Sequence, residues 1–359
     1  MSFEKNANRG DRWAQVVMRA DASDQIGFGH VMRCASLGFR LMDEGKRVHF
    51  ISAEINNWLS EWLRMSGFEL SRLPVECVGN PELDARFSSL IVDSLDDCVW
   101  VVVDHYGLDS NWETVIKEND KKVLAVDDAC FRDHNCDVLL DTSLRNLDGI
   151  GYLGRQLSDP VIFSGPNYIL LRPEFEVSSE MRLRTGEISK ILIFFGGGEI
   201  DIEIRRVIGA ISQITLRNLE ITLVFGRTQP NERLVRDVLQ TYPSINLIDI
   251  TFNMAHLINE ADLAIGTCGV SAWERCALGL PALTVVTSDN QRDDARYLDN
   301  LGVLKNLGES SQVTEETWLE EITNLLNRPA QVSKMSKACR DLNIARKDSQ
   351  KALVEIFTR

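Results

Sequence analysis

Short apolar segments alternate with longer amphipathic stretches along most of this chain. In the first half, the segments that predict strands are 14–20, 47–52, 99–105, 121–128 and 136–141. The last three are nearly continuous apolar runs, as expected of strands that are buried on both faces of a sheet. After the first strand, apolar positions recur with helical spacing until Gly45, which ends the predicted helix. This alternation of strands and helices predicts a mostly parallel sheet.

The alternation stops over residues 142–187, which hold several Gly, Pro and Ser positions, and then restarts. Further strands are predicted at 188–198, 219–226, 245–250, 262–266 and 281–286, with helices between them. The last segment, from about 313 to 358, has an almost entirely helical pattern. We therefore predict an α/β protein with two Rossmann-like domains, 1–175 and 176–359, whose last helix is a candidate to pack back on the first domain.

The composition is that of an ordinary globular protein: 44% of the 359 residues are hydrophobic and 26% are charged, which excludes disorder as the main state. A net charge of −14 argues against a general nucleic-acid binder, because such proteins need an excess of Lys and Arg. It does not exclude a small phosphorylated ligand held by backbone amides. The chain has no apolar run of roughly 18 residues and no signal-peptide core, so we expect a cytoplasmic protein without membrane association.

The eight cysteines are scattered without a C-x-x-C pair, which is typical of buried thiols in a reducing compartment. Cys130, His134 and Cys136 have a C-x3-H-x-C spacing that matches no common structural zinc site, and no fourth ligand is evident. We therefore predict neither a metal nor a cofactor.

The first candidate motif runs from Asp21 to Cys34, where a Gly-x-Gly turn of Gly27 and Gly29 follows the first strand. It is not the full dinucleotide-binding fingerprint, since Arg33 lies near the position of the third glycine. The following helix should offer free N–H groups to a phosphate. His30 at its start is expected to point into the crevice at the strand ends, where the positive helix terminus favours a neutral base. The alternative is a histidine that only caps the turn.

A second group of polar residues follows the buried strand at 99–105. Asp104, His105 and Tyr106 stand at its carboxyl end, where open α/β sheets bind ligands. Alternatively, Asp104 caps the next turn and Tyr106 packs in the interior. Asp127 and Asp128 end the next strand in the same way, as part of either a pocket wall or a polar sheet edge.

The second half carries two more loops of this kind. Gly196, Gly197 and Gly198 join a strand to a helix and predict a second backbone-only ligand loop, although a tight turn alone would also need them. From Ala264 to Leu283, a strand, a loop of small residues and a helix follow one another. A carboxylate one turn into that helix can accept both hydroxyls of a ribose, unless it is an ordinary surface residue. The candidates for substrate contacts here are Ser271, Glu274, Asn290 and Gln291.

Seven segments occur in an order that resembles one enzyme family. They are MRADASDQIGFGHVMRC, VVDHYGLD, VDD, GPNYILLRPEF, FFGGGE, GVSAWERCALGLPAL and DNQ. The family is the UDP-2,4-diacetamido-2,4,6-trideoxy-β-L-altropyranose hydrolases of pseudaminic acid biosynthesis. The matched segments extend from about residue 15 to 300, and the G-x-G-H segment together with D-H-Y-G is the specific part.

The resemblance implies a glycosyltransferase-B-type fold, in which two Rossmann-like domains face each other across a cleft. It implies metal-independent hydrolysis of a UDP-sugar with inversion at the anomeric carbon. The family's catalytic residues correspond to His30 and Tyr106, its junction residues to Tyr168 and Arg172, and its ribose-binding glutamate to Glu274. Gly198 stands where the family often has Thr or Ser, so a hydroxyl contact to the nucleotide is lost or moved.

Two alternatives to the hydrolase remain at this point. One is a glycosyltransferase of the same fold that uses a UDP-sugar donor, and the other is a nucleotide-sugar-binding protein without catalysis. The acidic charge balance favours the hydrolase over a transferase with a basic or apolar acceptor patch. The UDP-sugar is the only partner predicted, and the oligomeric state is left open.

Overall fold

The computed structural model describes residues 14–23, 26–118, 120–128, 132–142, 157–175, 182, 184–196, 200–214, 219–226, 230–342, 344 and 347–358, without the side chains of 290 and 347–349. Two parallel sheets dominate it, one of seven strands and one of six. Each sheet separates two clusters of buried apolar side chains, one on each face. The chain is thus a two-domain α/β protein, as predicted.

The first sheet consists of β1 (Gln15–Ala20), β2 (Arg47–Ser52), β3 (Glu69–Arg72), β4 (Cys98–Asp104), β5 (Lys122–Val126), β6 (Val138–Asp141) and β7 (Val161–Ser164). Its strand order is β3-β2-β1-β4-β5-β6-β7, and every neighbouring pair is parallel. The helices of this half are α1 (Gly29–Asp43), α2 (Asn57–Met65), α3 (Pro81–Ser94) and α4 (Ser110–Lys117).

The second sheet consists of β8 (Lys190–Phe194), β9 (Glu220–Val224), β10 (Asn246–Ile248), β11 (Leu263–Thr267), β12 (Ala282–Val286) and β13 (Leu304–Glu309). Its order is β10-β9-β8-β11-β12-β13, again with every pair parallel. The helices are α5 (Asp201–Ser212), α6 (Glu232–Thr241), α7 (Met254–Glu260), α8 (Val270–Ala277), α9 (Arg292–Asn300), α10 (Glu315–Leu326), α11 (Pro329–Leu342) and α12 (Lys347–Glu355).

The strand order reverses once in each sheet, between β1 and β4 in the first and between β8 and β11 in the second. At such a switch point, the connections from two adjacent strands leave in opposite directions and open a crevice at the carboxyl ends of the strands. The glycine turn before α1 and the Asp104 segment flank the first switch point. Gly196 and the loop before α8 flank the second. The topology therefore brings the predicted motifs together in pairs.

The segment after β7 joins the two domains with alternating side chains. Leu170 lies in the apolar cluster of the first domain, whereas Ile169, Leu171 and Phe175 lie in that of the second. This extended alternation anchors the junction on both sides, because successive side chains of an extended chain point in opposite directions.

The end of the chain returns to the first domain. Leu353 of α12 is fully buried in the cluster that contains β1, and the ring of Phe357 lies 5.1 Å from that of Trp100 in β4. Gln350 Nε2 donates to the carbonyl oxygen of Ile169 at 3.2 Å. Within the described part of the chain, no helix is long and apolar enough to cross a membrane.

The strands predicted from apolar runs are confirmed. The strands β3, β7 and β13 are not among those predicted, and of these only β7, with VIFS, is a short apolar run. These three lie at sheet edges. An edge strand faces solvent along one side, so its residues need not be uniformly apolar. Sequences such as ELSR and LKNLGE therefore escape a search for apolar runs.

Candidate active site

The turn between β1 and α1 has the backbone geometry that its glycines suggest. Gly27 has φ +75°, and its N–H donates to the carbonyl oxygen of Ser23 at 2.8 Å. Phe28 occupies the N-cap position of α1 without a side-chain cap. The first N–H groups of α1 are therefore not capped by the side chain that precedes them, as an anion-binding terminus requires.

His30, at the second position of α1, contacts two residues from the end of β4. Its Nδ1 lies 2.7 Å from Oδ1 of Asp104, the last residue of that strand. The Tyr106 ring stands edge-on to the imidazole, with ring centroids 4.8 Å apart. The structure thus brings together the three predicted residues His30, Asp104 and Tyr106 at the switch point of the first sheet.

Asp104 is fully buried, and Arg33 is its second partner. Arg33 Nη2 donates to Oδ1 at 2.6 Å, and Arg33 Nε donates to Oδ2. Burial alone would raise the pKa of Asp104, but the charges of Arg33 and His30 hold it well below its usual range. Asp104 is therefore an ionised carboxylate that contacts His30 and Arg33. The sequence, in contrast, predicts that Asp104 contacts the substrate.

Arg33 also connects this group to Tyr106. Its Nη1 donates to Oδ2 of Asp128 at 2.7 Å, and the Tyr106 hydroxyl donates to Oδ1 of the same carboxylate at 2.8 Å. Burial opposes ionisation of Asp128, but Arg33 and Tyr106 lower its pKa. One buried guanidinium thus holds both the carboxylate beside His30 and the carboxylate beside Tyr106.

His105 contacts the backbone of its own turn and the carboxylate of Asp21. The N–H of Gly107 donates to its Nδ1 at 3.0 Å, which leaves the proton on Nε2, 3.4 Å from Oδ2 of Asp21. Burial lowers the pKa of His105, and the positive charge of Arg19 lowers it further. Both ring nitrogens are therefore engaged in holding the turn, and His105 is not placed as a free base.

Arg132 supports the turn that carries Tyr106. Its guanidinium lies 5.7 Å from the centre of the Tyr106 ring and donates to the carbonyl oxygens of His105 and Leu108. Its Nη2 pairs with Oδ1 of Asp127 at 2.9 Å. Asp127 is thus part of the support for the site, behind Asp128.

His134 links Asp127 to a further buried carboxylate, Glu113. Its Nε2 lies 3.0 Å from Oδ2 of Asp127 and its Nδ1 lies 2.7 Å from Oε1 of Glu113. Glu113, His134 and Cys136 have potential ligand atoms within 4.8 Å of one another. However, both imidazole nitrogens already serve carboxylates, and burial strongly raises the pKa of the Cys136 thiol. Such a donor set suits an ion-paired network better than a metal; Cys130 lies outside the described residues.

The Glu113–His134–Asp127 network makes stability depend on pH. Burial alone would lower the pKa of His134, but hydrogen bonds to Asp127 and Glu113 raise it to about 9. In the unfolded chain the pKa of His134 is near 6.5. The network therefore adds about 3 kcal/mol to the free energy of unfolding below pH 6.5, and this stabilisation is lost as the pH rises through 9. We expect the urea midpoint to fall between pH 6.5 and 9.5.

A Glu113→Gln variant tests whether the Glu113–His134–Asp127 network causes this pH dependence of stability. It removes one of the two charges that raise the His134 pKa, so the fall should still begin near pH 6.5 but be smaller and end at a lower pH. Urea midpoints measured from pH 6 to 10 for both proteins check this. The same pH dependence in both would remove the network as its cause.

The loop after β8 approaches the loop after β9 closely. Gly196 has φ +98°, and a Cβ on Gly226 would lie 2.8 Å from the Gly196 carbonyl oxygen. Glycine is therefore needed at both positions for conformational and steric reasons. Gly197 and Gly198 lie outside the described residues.

The amino end of α8 faces that of α1 across the domains. A Cβ on Gly29 would lie 3.8 Å from Cγ2 of Val270, the first residue of α8. Gly269 at the N-cap of α8 makes no side-chain cap. Ser271 Oγ accepts from Arg275 Nη1 at 3.3 Å within the same helix. Two helix termini suited to anions thus converge between the sheets.

Glu274 of α8 is buried, with 8% of its surface exposed, so it is not an ordinary surface residue. Its Oε1 lies 3.4 Å from Arg172 Nη2, whose Nη1 contacts Glu174 at 2.7 Å. Burial raises the pKa of Glu274 and Arg172 opposes that rise. The predicted ribose and junction residues are therefore in contact with each other in this structure.

The other candidate substrate contacts are Asn290, Gln291 and Tyr168. Gln291 ends a short 3-10 turn, Asp289–Gln291, and its Oε1 accepts from the Thr287 N–H at 3.1 Å. Asn290 lies in the same turn. The Tyr168 ring packs edge-on against Phe163 of β7, with centroids 5.0 Å apart, and both rings lie against the core of the first domain.

An aromatic contact between the domains lies next to the glycine turn. Phe252, after β10, stacks on Trp62 of α2 with centroids 5.4 Å apart and planes at 6°. It also lies 5.7 Å from Trp58, which contacts Phe28 edge-on at 5.0 Å. This contact therefore reaches from the second domain to the residue that precedes α1.

Sequence reasoning did not recognise Arg33 as a site residue and left Asp128 as an alternative. The available signal for Arg33 was a charged side chain three residues after His30, on the same face of a helix whose neighbours are apolar. Such an arginine needs a buried carboxylate. Its partners, however, lie 71 and 95 residues further along the chain.

The fold defines the class of protein. A UDP-glucosyltransferase from Polygonum tinctorium superimposes with a TM-score of 0.67 over 97% of this chain and 99% of that one, at 13% identity, which shows the fold alone. The chain has the glycosyltransferase-B-type fold. Residues 191–353 match the family model of the glycosyltransferase family 28 C-terminal domain.

The chain is also similar in sequence to two individual proteins. The chain is 25% identical to the UDP-2,4-diacetamido-2,4,6-trideoxy-beta-L-altropyranose hydrolase of Campylobacter jejuni, over 80% of this chain and 97% of that protein. It is 27% identical to the spore coat polysaccharide biosynthesis protein SpsG of Bacillus subtilis over 46% of this chain and 49% of that protein. The match thus spans about half the length of SpsG and nearly all of the hydrolase.

Proposed function

We propose that this protein hydrolyses a UDP-linked 2,4-diacetamido-trideoxy sugar to UDP and the free sugar, in nonulosonic acid biosynthesis of the pseudaminic type. The observation that carries the proposal is the His30–Asp104 pair at the switch point. Within the described residues, the polar contacts of the His30 ring all run through Nδ1. Nε2 is therefore the nitrogen that can take a proton from water. Similarity over both domains to a hydrolase supports this chemistry.

In the proposed reaction, a water oxygen attacks the anomeric carbon while its proton passes to His30 Nε2. The bond from that carbon to the β-phosphate oxygen breaks, and UDP leaves with the electron pair. Attack opposite the leaving group inverts the configuration. Ionised Asp104 accepts a hydrogen bond from Nδ1–H, which selects the tautomer with a basic Nε2 and stabilises the imidazolium as it forms.

Tyr106 is proposed to position the water or the sugar. Its hydroxyl proton is directed to Asp128 at 2.8 Å, so the oxygen is left as an acceptor. Its ring also limits rotation of the imidazole by edge-on packing. We expect Tyr106→Phe to be milder than loss of His30.

The second domain is proposed to hold UDP. The termini of α1 and α8 offer N–H groups to the diphosphate, with Arg172 as the nearby cation, and Glu274 accepts the ribose hydroxyls. When UDP binds, Arg172 and Glu274 exchange their mutual contact for contacts to the nucleotide.

The decisive test is incubation with a panel of UDP-sugars, followed by NMR without any acceptor. We expect equimolar UDP and free sugar from the diacetamido-trideoxy substrate, with the inverted anomer appearing first. Absence of UDP release from every UDP-sugar would contradict hydrolysis.

A glycosyltransferase that uses a UDP-sugar donor is the second candidate function. The match of residues 191–353 to a glycosyltransferase domain supports it, since that domain would hold the UDP-sugar in a transfer reaction as well as in hydrolysis. A transferase would release UDP in the NMR assay only when a hydroxyl acceptor is added. The sugar would then appear on the acceptor instead of in free form.

Removing Glu274 is expected to weaken UDP binding. Glu274→Ala eliminates a charge-assisted pair of hydrogen bonds to the ribose, worth about 1.5–3 kcal/mol. Calorimetry with UDP alone measures this. Glu174→Ala is the matched control, since Glu174 also pairs with Arg172 but is 35% exposed at its side chain. Equal affinities of the Glu274 variant and the wild type would exclude Glu274 from the site.

A further inference from the structure

Arg33 lies at the centre of the polar contacts around His30, and nothing in the proposed chemistry uses it directly. It is 6% exposed, on the helix turn after His30. Three of its N–H groups reach two carboxylates from two different strands, Asp104 at the end of β4 and Asp128 after β5. A buried guanidinium with this many charged contacts is a fixed charge.

The position of that charge relative to His30 is close. Arg33 Nη2 lies 3.3 Å from His30 Nδ1, and both groups share Oδ1 of Asp104, at 2.6 and 2.7 Å. Since two cations cannot occupy these positions without repulsion, Arg33 disfavours the imidazolium. It also neutralises much of the Asp104 charge that would favour it.

We propose that Arg33 is a positioning residue that aligns Asp104 with His30 and keeps the imidazole neutral, and therefore able to accept a proton. This inference rests on the proposed function only for its kinetic consequence. Arg33 touches neither the sugar nor the water in the proposed reaction and acts through Asp104, His30 and Asp128.

The groups that face His30 set the direction of the expected effect. Arg33 and Cys34 come from α1; Asp104, His105 and Tyr106 come from the end of β4. Asp128 acts through Arg33 and Tyr106. Burial raises the pKa of Cys34 well above its ordinary value, so it stays a neutral thiol. Val270, the residue of the second domain next to the turn, carries no charge.

The residue to change is therefore Arg33, and the readout is the protonation midpoint of His30. In Arg33→Gln, Asp104 keeps its charge without a cation beside it, so NMR of the ligand-free protein should show the His30 midpoint rising by about one to two pH units. The acid limb of kcat should move upward by the same amount, with recovery at high pH and little change in KM. Arg33→Lys keeps the charge and should leave the midpoint within about 0.5 unit while kcat falls through lost alignment.

Arg40→Met is the matched control, because it removes another buried arginine from α1, two turns beyond Arg33. It should leave the His30 midpoint in place even where stability falls. An unchanged midpoint in Arg33→Gln would overturn the proposal.

If Arg33→Gln does not fold, a second variant, Asp128→Asn, tests the same proposal. There the Arg33 charge has one carboxylate fewer to neutralise it, so the His30 midpoint should fall; an unchanged midpoint would again overturn the proposal. The NMR titrations need no turnover. Failure of every UDP-sugar to react would thus reject the proposed function and leave the charge effect of Arg33 decided by its own measurement.

Discussion

Replacing His30 with Asn is expected to lower kcat by about 10²–10⁴-fold, the usual contribution of a general base. Asn keeps part of the volume and can still contact Asp104, but it cannot take the proton from the attacking water. KM should change by less than about threefold. The wild-type rate should decline on the acid side as the imidazole becomes protonated, and the residual rate of the variant should lose that decline. Steady-state kinetics from pH 5 to 9 with the UDP-sugar identified by NMR measure both.

His256→Asn is the control for this substitution, since His256 is an exposed residue of α7 in the second domain. It should react at the wild-type rate. Near-normal turnover of His30→Asn at saturating substrate would make His30 a binding or turn residue. The base would then have to be sought elsewhere, although Asp104 and Asp128 are both engaged by Arg33 in this structure.

The central strands of both sheets could be predicted because burial on two faces leaves a direct trace in the sequence. Runs such as VVVD at the end of β4 contain almost nothing but apolar residues until the polar carboxyl end. Strand order leaves no such trace. The adjacency of β1 and β4 is a contact between segments about 80 residues apart, and it depends on how the crossovers wind.

The candidate site shows the same division. His30 and Tyr106 could be proposed because each stands where a strand or helix end opens onto a crevice. Their partners could not be assigned from spacing, since the bond from His30 to Asp104 joins residues 74 apart. Arg33 was hidden by its place in an otherwise apolar helix face, and its role becomes visible only with the carboxylates in position. Tyr168 shows the opposite case, where a motif match did not specify which side of the junction the ring packs against.

Asp104→Asn should have the second large effect on kcat, again about 10²–10⁴-fold. The same change in the Ser-His-Asp triad lowers kcat by about 10⁴ because the histidine is left in the wrong tautomer. Here Arg33 donates to both oxygens of Asp104. An Asn side chain must therefore turn an N–H toward either Arg33 or His30. Toward His30, it would donate to Nδ1, place the proton on Nε2 and remove the base. Toward Arg33, it would face a donor with a donor, and the buried guanidinium would keep Asp128 but lose the charge of Asp104, so a loss of stability is also expected.

Two comparisons separate a tautomer effect from general disruption. Asp109→Asn, at the N-cap of α4 on the same connection, should keep wild-type kinetics because Asn caps helices as well as Asp does. The double variant His30→Asn with Asp104→Asn is the sharper test, because Asp104 acts only through His30. Its kcat should be about that of His30→Asn alone, since residues that act as a unit are not additive. A double variant slowed by the product of the two single effects, measured on folded protein, would show that Asp104 acts on the reaction by a route independent of the imidazole.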